Sequence, residues 1–234
     1  PPVQYRNYCG LHLQTMVSGW DGYVRDTGTV TKVLASMQDV IGVKRVRPDV
    51  PVIWRHVTNS YGDTLENPDP LAGARRWVDK FRDSLYAECD RMAGMGLTSP
   101  YFYVESVNEV YPPTARAVAF DRAFIQALGE TGLPVAPVVM TAAVGNPHES
   151  EFHLLIPLAR ECAAAGGLFG PHAYWMANRD DPDALTRHWK WLAGRWTEMD
   201  KVLVAAGVRV KWAFTEGGAV GPASATAIRA ALLD

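Results

Sequence analysis

Seven short apolar runs alternate with longer amphipathic segments along this 234-residue chain. Each run has the length of a β-strand, and several are continuously apolar, which is typical of parallel strands covered on both faces. The runs span residues 8–14, 29–35, 51–57, 101–107, 134–142, 167–175 and 210–216. The alternation predicts an α/β protein built on a parallel sheet.

Helix start and stop signals lie between the runs. Asp69-Pro70 supplies an N-cap and a first-turn proline, and apolar residues then recur every four positions until Gly96 ends the helix. Pro157 is expected to bend the helix that is predicted after Asn146-Pro147. Other helices are predicted over residues 37–47 and 114–132 and after Asn146-Pro147 and Asp181-Pro182, whereas residues 18–27 carry no clear signal.

Two α/β architectures fit this order, a (β/α)8 barrel and a doubly wound open sheet. The open sheet would carry a glycine-rich phosphate turn after its first strand, and the segment GLHLQTMVSGW has none. A barrel typically needs about 250 residues, and this chain ends in a predicted helix before any eighth strand. We predict a single TIM-barrel-like catalytic domain over residues 1–234 that lacks the last strand, excised from or truncated relative to a longer chain.

Composition and charge restrict the partners of the protein. Hydrophobic residues make up 48% and charged residues 21%, and the net charge of −2 gives no indication of a nucleic-acid or anionic-membrane partner. No apolar run approaches the roughly 18 residues that membrane insertion needs. The three cysteines, Cys9, Cys89 and Cys162, lack metal-ligand spacing and are predicted to be buried thiols.

Polar and aromatic residues gather at the ends of separate runs. They are Arg55 in the third run, Asn108 and Glu109 after the fourth, His172, Tyr174 and Trp175 in the sixth, and Glu216 at the end of the seventh. In a parallel barrel the catalytic groups cluster where strands end, because the loops that follow build the active face. A purely structural sheet would not need this concentration of polar groups.

Glu109 and Glu216 are the two carboxylates of this set. A lone glutamate at a strand end is more often a solvated rim residue, but strands three apart in a closed barrel face each other across its mouth. Cleavage of a glycosidic bond requires such a pair, one group holding a proton and the other ionised. Mutual repulsion in a partly dry cavity raises one pKa and leaves the other low, which separates the two roles.

The motifs VNE (107–109), PHAY (171–174) and FTEGG (214–218) occur in this order at three strand ends. Together they resemble the large (β/α)8-barrel clan of retaining glycoside hydrolases. The resemblance implies that Glu109 is the general acid/base and Glu216 the nucleophile. It also implies that Asn108 binds the sugar 2-hydroxyl and that Tyr174 orients Glu216 and keeps it ionised. The strand-eight aromatic platform of that clan has no counterpart here.

Arg55 can be interpreted in two ways, and Glu105 is a candidate for its ion-pair partner. The clan often has an arginine near the nucleophile on strand two, whereas Arg55 falls on the third run. Arg55 either helps to hold Glu216 ionised and contacts substrate, or forms an ordinary barrel-mouth ion pair. Glu105 shares the strand parity of Glu109, and its structural role would be a buried ion pair with Lys32 or Arg55.

His172 either contacts substrate or satisfies a hydrogen bond in the core. Trp175 is the best candidate for an aromatic surface on which a sugar ring stacks, with Trp20 and Trp54 after it, although core packing competes for each. The remaining histidines show no metal-binding spacing such as His-Glu-x-x-His, so no metal or cofactor is predicted.

These residues together predict an enzyme, an O-glycosyl hydrolase that cleaves a poly- or oligosaccharide by retaining double displacement. One alternative is a non-catalytic carbohydrate- or cell-wall-binding barrel that has kept the cleft. Another is a barrel enzyme acting on phosphorylated sugars, which is disfavoured because the end of the chain shows no glycine-rich phosphate loop.

Overall fold

The computed structural model describes residues 11–13, 18–27, 30–34, 36–58, 61–97, 102–110, 113–176 and 194–220. The chain divides into two compact units. The first unit comprises Pro1–Ser106 and Ala123–Val138, and the second comprises Val107–Arg122 and Val139–Asp234. The prediction of one catalytic domain over the whole chain stays a prediction.

Parallel strands that pair in sequence order form the sheet of the first unit. They are β1 (Leu11–Leu13), β2 (Thr31–Val33), β3 (Val52–Arg55), β4 (Phe102–Glu105) and β5 (Ala136–Val139), whose last residue belongs to the second unit. Every residue of β2, β3 and β4 is buried, as expected for strands covered on both faces. All five lie inside the apolar runs predicted from the sequence.

Five helices belong wholly to the described part of the first unit, and a sixth is shared. They are α1 (Trp20–Thr27), α2 (Gln38–Val46), α3 (Gly62–Leu65), α4 (Pro70–Asp79), α5 (Arg82–Gly94) and the shared α6 (Thr114–Gly129). Asp69 caps α4 as predicted, since its carboxylate accepts a hydrogen bond of 2.9 Å from the Leu71 amide. Helix α1 occupies the segment for which the sequence carried no clear signal.

The single helix predicted from Pro70 to Gly96 is instead two helices that meet at Phe81. Phe81 leaves the helical conformation, with φ −132° and ψ 1°. Its buried ring packs edge-on against Trp54 and Trp77, with ring centroids 5.3 Å and 6.1 Å away. Packing of one aromatic side chain therefore overrides the helical period that runs through this segment.

The sixth apolar run forms two strands of the second unit, whereas the seventh forms one strand and the first residue of another. These are β6 (Leu168–Phe169) and β7 (His172–Met176), then β8 (Lys211–Trp212) and β9 (Glu216–Val220). Strand β6 pairs in parallel with β8, and β7 pairs in parallel with β9. Pro171 has no amide hydrogen to donate, so the sixth run cannot continue as one ladder. Gly170 lies between β6 and β7, and Thr215 lies between β8 and β9. The Thr215 hydroxyl donates a hydrogen bond of 2.7 Å to the Gly170 carbonyl and so connects the two interruptions.

The described helices that lie wholly in the second unit are a 3-10 helix (Glu149–Leu154), α7 (Leu155–Ala164) and α8 (Trp196–Ala205). Pro157 lies in the first turn of α7, where no amide donor is needed, and the bend predicted at this residue stays a prediction. The helix start predicted at Asp181-Pro182 and the terminal helix predicted within residues 221–234 lie outside the described residues. None of the helices that the structure describes is long and apolar enough to cross a bilayer.

Cys89 and Cys162 are buried thiols, as predicted. Burial raises the pKa of Cys89 to about 11 and that of Cys162 to about 12, because a thiolate would lose its hydration in the apolar interior. Both groups are therefore poor nucleophiles at neutral pH. Cys9 lies outside the described residues.

Lys44, on α2, is a fully buried cation of the first unit. Its ammonium group donates hydrogen bonds to the carbonyls of Pro48 and Val50, at 3.3 Å and 2.6 Å. Burial lowers the pKa of Lys44 from 10.5 to about 8, and the nearby Asp49 carboxylate opposes this only in part. The folded state therefore disfavours the charged form of this side chain.

We expect the contribution of Lys44 to the free energy of unfolding to rise as the pH increases from about 8 to 10.5, whereas the two buried cysteines contribute with the opposite sign above pH 9. Over this interval the unfolded chain still holds the Lys44 proton while the folded chain has lost it, so higher pH favours the folded state. The difference between the pKa values of Lys44 in the unfolded and folded states corresponds to a gain of about 3 kcal/mol in the free energy of unfolding. Urea unfolding of the wild type and of Lys44→Met at pH 7, 8.5 and 10 measures this gain. A difference between the two proteins that does not vary with pH would contradict the expectation.

Candidate active site

Four of the predicted site residues come together within the second unit. Glu109 lies in the bend that follows Val107, His172 and Tyr174 lie on β7, and Glu216 is the first residue of β9. The register of β7 and β9 places His172 directly opposite Glu216. His172 and Tyr174 are two residues apart on one strand and so share a face of the sheet. Backbone pairing thus fixes three of the four residues relative to one another.

Glu109 adopts a left-handed backbone conformation, with φ 57°. This region is uncommon for a residue other than glycine, and it recurs at functional sites where surrounding contacts hold the strain. Here the Glu109 amide donates to the Thr141 carbonyl at 2.9 Å, and the Thr141 hydroxyl donates to the Val107 carbonyl. These bonds hold the bend in place and leave the Glu109 side chain 44% exposed.

The His172 imidazole lies between the two carboxylates. Its Nδ1 atom is 2.8 Å from Glu109 Oε1 and 3.8 Å from Glu216 Oε2. The side chain is fully buried, and the His172 amide donates to the Ala142 carbonyl at 3.0 Å. His172 is thus a core residue by burial and a neighbour of both carboxylates by position.

Tyr174 is the second partner of Glu216. Its hydroxyl donates a hydrogen bond of 3.0 Å to Glu216 Oε2, the contact that the sequence resemblance implies. The Tyr174 ring meets the His172 ring edge-on, with centroids 6.0 Å apart. A hydrogen bond from a phenol favours the ionised form of a carboxylate and fixes its orientation. The Glu216 side chain is 13% exposed, so water reaches it less than it reaches Glu109.

The carboxyl oxygens of Glu109 and Glu216 lie close together. One oxygen of each and one ring nitrogen of His172 are all within 4.8 Å of one another. Two carboxylates at this separation can act on the two sides of one bond, or can ligate one metal ion together with the imidazole. No metal site was predicted from the sequence, because the three residues come from three separate segments of the chain.

The other predicted site residues stand as follows. Asn108 is half-buried and directly precedes Glu109. Trp175 lies on β7, but its side chain is outside the described residues. Trp54 is buried with its ring against Phe81, which favours its core-packing role. Trp20 is half-buried at the start of α1.

Arg55 forms a buried ion pair within the first unit. Its Nη1 atom is 3.4 Å from Glu105 Oε1, and Lys32 Nζ is 2.9 Å from Glu105 Oε2. The parallel register places Arg55 opposite Glu105 on neighbouring strands. The ion pair predicted for Glu105 is present with both cations. A role for Arg55 in binding substrate stays a prediction.

A depression beside His172 was not predicted from the sequence. Its lining includes Asn146, Arg195, Trp196 and Phe214. The Phe214 ring is 45% exposed and lies 5.5 Å from that of Trp196. Phe214 precedes Glu216 by two residues, and this spacing was the sequence signal that could have identified it.

Arg195 holds one wall of this depression. The guanidinium donates twice to the Pro147 carbonyl, at 3.1 Å and 2.7 Å, and lies 5.2 Å from the ring centroid of Phe152. Burial lowers the pKa of Arg195 slightly from its usual range, and Glu149 partly opposes this. The contacts of the guanidinium are structural, because they tie the start of α8 to the segment after β5.

No protein-family model matches the chain, and no curated protein matches it. Two solved structures are similar. One is the catalytic domain of a mannanase from Streptomyces sp. SirexAA-E, with 18% identity, a TM-score of 0.50 and coverage of 92% of this chain and 66% of that one. The other is a GH5-4 broad-specificity endoglucanase from Bacteroides salanitronis, with 10% identity, a TM-score of 0.51 and coverage of 93% and 76%.

Both structural neighbours are glycoside hydrolases with a (β/α)8-barrel fold. At these identities the likeness concerns the fold, and it confirms the predicted TIM-barrel-like class over the doubly wound sheet. The chain spans slightly less than two thirds of the mannanase domain.

Proposed function

We propose that this protein is a glycoside hydrolase that cleaves O-glycosidic bonds of a poly- or oligosaccharide by retaining double displacement. The short distance between the two carboxylates carries the proposal, because one oxygen of Glu109 and one oxygen of Glu216 lie within 4.8 Å of each other. Retaining enzymes hold their two carboxyl groups about 5–5.5 Å apart, whereas inverting enzymes need roughly 6.5–9.5 Å to admit a water molecule. The short separation therefore favours retention.

The surroundings of the two carboxylates assign them different roles. Glu216 is the nucleophile, because the Tyr174 hydroxyl donates to it and it is largely shielded from water. Glu109 is the general acid/base, because its exposed side chain can reach both a leaving group and an incoming water. His172 orients Glu109 through the 2.8 Å contact and limits the positions that its carboxyl group can take.

The reaction proceeds in two displacements. In the first, a Glu216 oxygen bonds to the anomeric carbon while the glycosidic C–O bond breaks and Glu109 gives its proton to the leaving oxygen. In the second, Glu109 takes a proton from water, the water oxygen attacks the anomeric carbon, and the bond to Glu216 breaks. Both carboxyl groups return to their starting states, and no cofactor is consumed.

Substrate contacts are proposed for the other site residues that the sequence predicts. Asn108 would bind the sugar 2-hydroxyl beside Glu109, and Trp175 would stack on a sugar ring. His172 and Arg55 complete the set that the sequence predicts. The exposed Phe214 and the half-buried Trp196 extend the apolar surface next to His172.

Mannan and β-glucan are the first substrates to test, because the two structural neighbours are a mannanase and an endoglucanase. Release of reducing ends should be measured for the wild type and for Glu216→Gln, a substitution close in size and shape. We expect release by the wild type alone. Binding of these polysaccharides without turnover would instead support the non-catalytic carbohydrate-binding barrel.

Tyr174→Phe is expected to lower kcat/KM by about 10- to 150-fold. The substitution removes one hydrogen bond to a charged group, which is worth roughly 1.5–3 kcal/mol, and it keeps the ring that packs against His172. Tyr86→Phe is the matched control, because the Tyr86 hydroxyl donates to the Thr131 carbonyl in the other unit, remote in sequence from the carboxylates. Equal activities of the two variants in initial-rate kinetics would exclude the proposed role of Tyr174.

A further inference from the structure

We propose that Glu109, His172 and Glu216 also form a binding site for a divalent transition-metal ion of the Zn²⁺ type, and that the bound ion reversibly blocks the site. The ligand atoms would be one oxygen from each carboxylate and the imidazole Nδ1. The blocking of hydrolysis rests on the proposed function, whereas the binding of the ion does not.

The distances fit a small ion. Ligands about 2.1 Å from a tetrahedral Zn²⁺ lie roughly 3.4 Å from one another. The Nδ1 atom of His172 is 2.8 Å from the Glu109 oxygen and 3.8 Å from the Glu216 oxygen, so these separations bracket the required value. A small rotation of the exposed Glu109 side chain would break its hydrogen bond with His172. The Glu109 oxygen and the His172 nitrogen would then each bind the ion.

The donor set selects the kind of metal. An imidazole nitrogen with two carboxylate oxygens suits Zn²⁺, Cu²⁺ or Ni²⁺, whereas Mg²⁺ and Ca²⁺ prefer oxygen ligands alone. Three protein ligands leave a fourth position for water, as in open zinc sites. Among the residues that the structure describes, this is the one group of three histidine, cysteine or acidic side chains close enough to share an ion.

The surrounding structure supports such a site. The β7–β9 register fixes His172 beside Glu216, and the Tyr174 hydroxyl orients one Glu216 oxygen, as outer partners of metal ligands do. The 44% exposure of Glu109 provides an entry path from solvent. Once bound, the ion would occupy both carboxylates, so Glu216 could not attack the anomeric carbon and Glu109 could not transfer its proton.

Isothermal titration calorimetry of the intact protein with Zn²⁺ alone tests the site. We expect one ion per chain, and an affinity at least about tenfold lower for Glu216→Gln and for Glu109→Gln. His172→Ala should also lose binding, but the glutamate variants decide the matter if removal of this buried ring prevents folding. His153→Ala is the matched control, because His153 is an exposed histidine on the 3-10 helix.

A second measurement identifies the coordination. Co²⁺ in place of Zn²⁺ should produce the visible absorption of a four-coordinate ion in the wild type and His153→Ala, and a weaker absorption in the glutamate variants. Mg²⁺ should bind far more weakly than Zn²⁺. The proposal is overturned if the wild type does not bind Zn²⁺, or if binding is unchanged in both glutamate variants.

Hydrolysis assays separate this proposal from the proposed function. Wild-type activity should fall with added Zn²⁺ and return with a chelator. Zn²⁺ binding that depends on Glu109 and Glu216 in a protein without hydrolase activity would sustain the metal site and contradict the proposed function. Hydrolysis that does not change with Zn²⁺, in a protein that does not bind the ion, would support the proposed function and contradict the metal site.

Discussion

Glu216→Ala is expected to abolish hydrolysis of a polysaccharide, with kcat lower by roughly 10⁴-fold or more, because the covalent route disappears with its nucleophile. The substitution removes the acceptor of the Tyr174 hydroxyl and leaves space beside the anomeric carbon. The Glu216 side chain is 13% exposed and its removal leaves the backbone pairing of β7 and β9 intact, so we expect the protein to fold normally. Initial rates and a thermal unfolding curve measure both expectations.

Azide should restore turnover in Glu216→Ala. The anion is small enough to enter the vacated space and attack the anomeric carbon from the same side, so the glycosyl azide should have inverted configuration. No rescue, or an azide product of retained configuration, would place the nucleophile elsewhere.

Glu109→Ala is the matched variant for the other role. It should lose about 10²- to 10⁴-fold on natural substrates, the usual contribution of general acid/base catalysis. The first displacement should be far less affected when the leaving group is an acidic phenol, since such a group needs no proton. Full activity of either alanine variant would refute the assignment of the pair.

Glu105→Gln is expected to destabilise the first unit by about 3–5 kcal/mol, the usual effect of breaking a buried ion pair. Glu105 is fully buried and lies 2.9 Å from Lys32 and 3.4 Å from Arg55. Without its negative charge, each of these two nearly buried cations would lose an ionic contact. Glutamine has the same size, so the loss would be electrostatic and not a matter of packing.

Glu130→Gln is the matched control for this prediction. Glu130 pairs with Arg75 through two bonds of 2.8 Å on the exposed surface of the same unit. Water and salt screen exposed pairs, so the free energy of unfolding should change little. Urea unfolding of the three proteins at pH 7 measures the difference. Equal losses of unfolding free energy in the two variants would mean that burial does not increase the contribution of the Glu105 ion pairs to stability.

Much of the strand pattern was predictable, because parallel strands covered on both faces are continuously apolar. Strands β1 to β5 all lie inside the predicted runs. The break of the long helix at Phe81 was not predictable, since Trp77, Phe81 and Leu85 keep the helical period through it. What ends the helix is the packing of Phe81 on Trp54, a residue distant in sequence.

The four residues at the centre of the site were predicted from strand ends, and the structure brings them together. Because these residues are far apart in sequence, the contacts between their side chains could not be predicted. Nothing in the sequence indicates that His172 touches Glu109, because the contact depends on the left-handed bend at Glu109, a conformation that glutamate seldom adopts. Arg195 and Trp196 were missed because their place beside His172 follows from helix packing and not from strand order.

The anomeric configuration of the first product tests the central claim most directly. Proton NMR spectroscopy of the wild type acting on an oligosaccharide, recorded before mutarotation, distinguishes the two outcomes. Paired action of Glu216 as nucleophile and Glu109 as acid/base predicts a first product with the configuration of the bond that was cleaved. A first product of opposite configuration would mean a single displacement by water, and Glu216 could not then be the nucleophile.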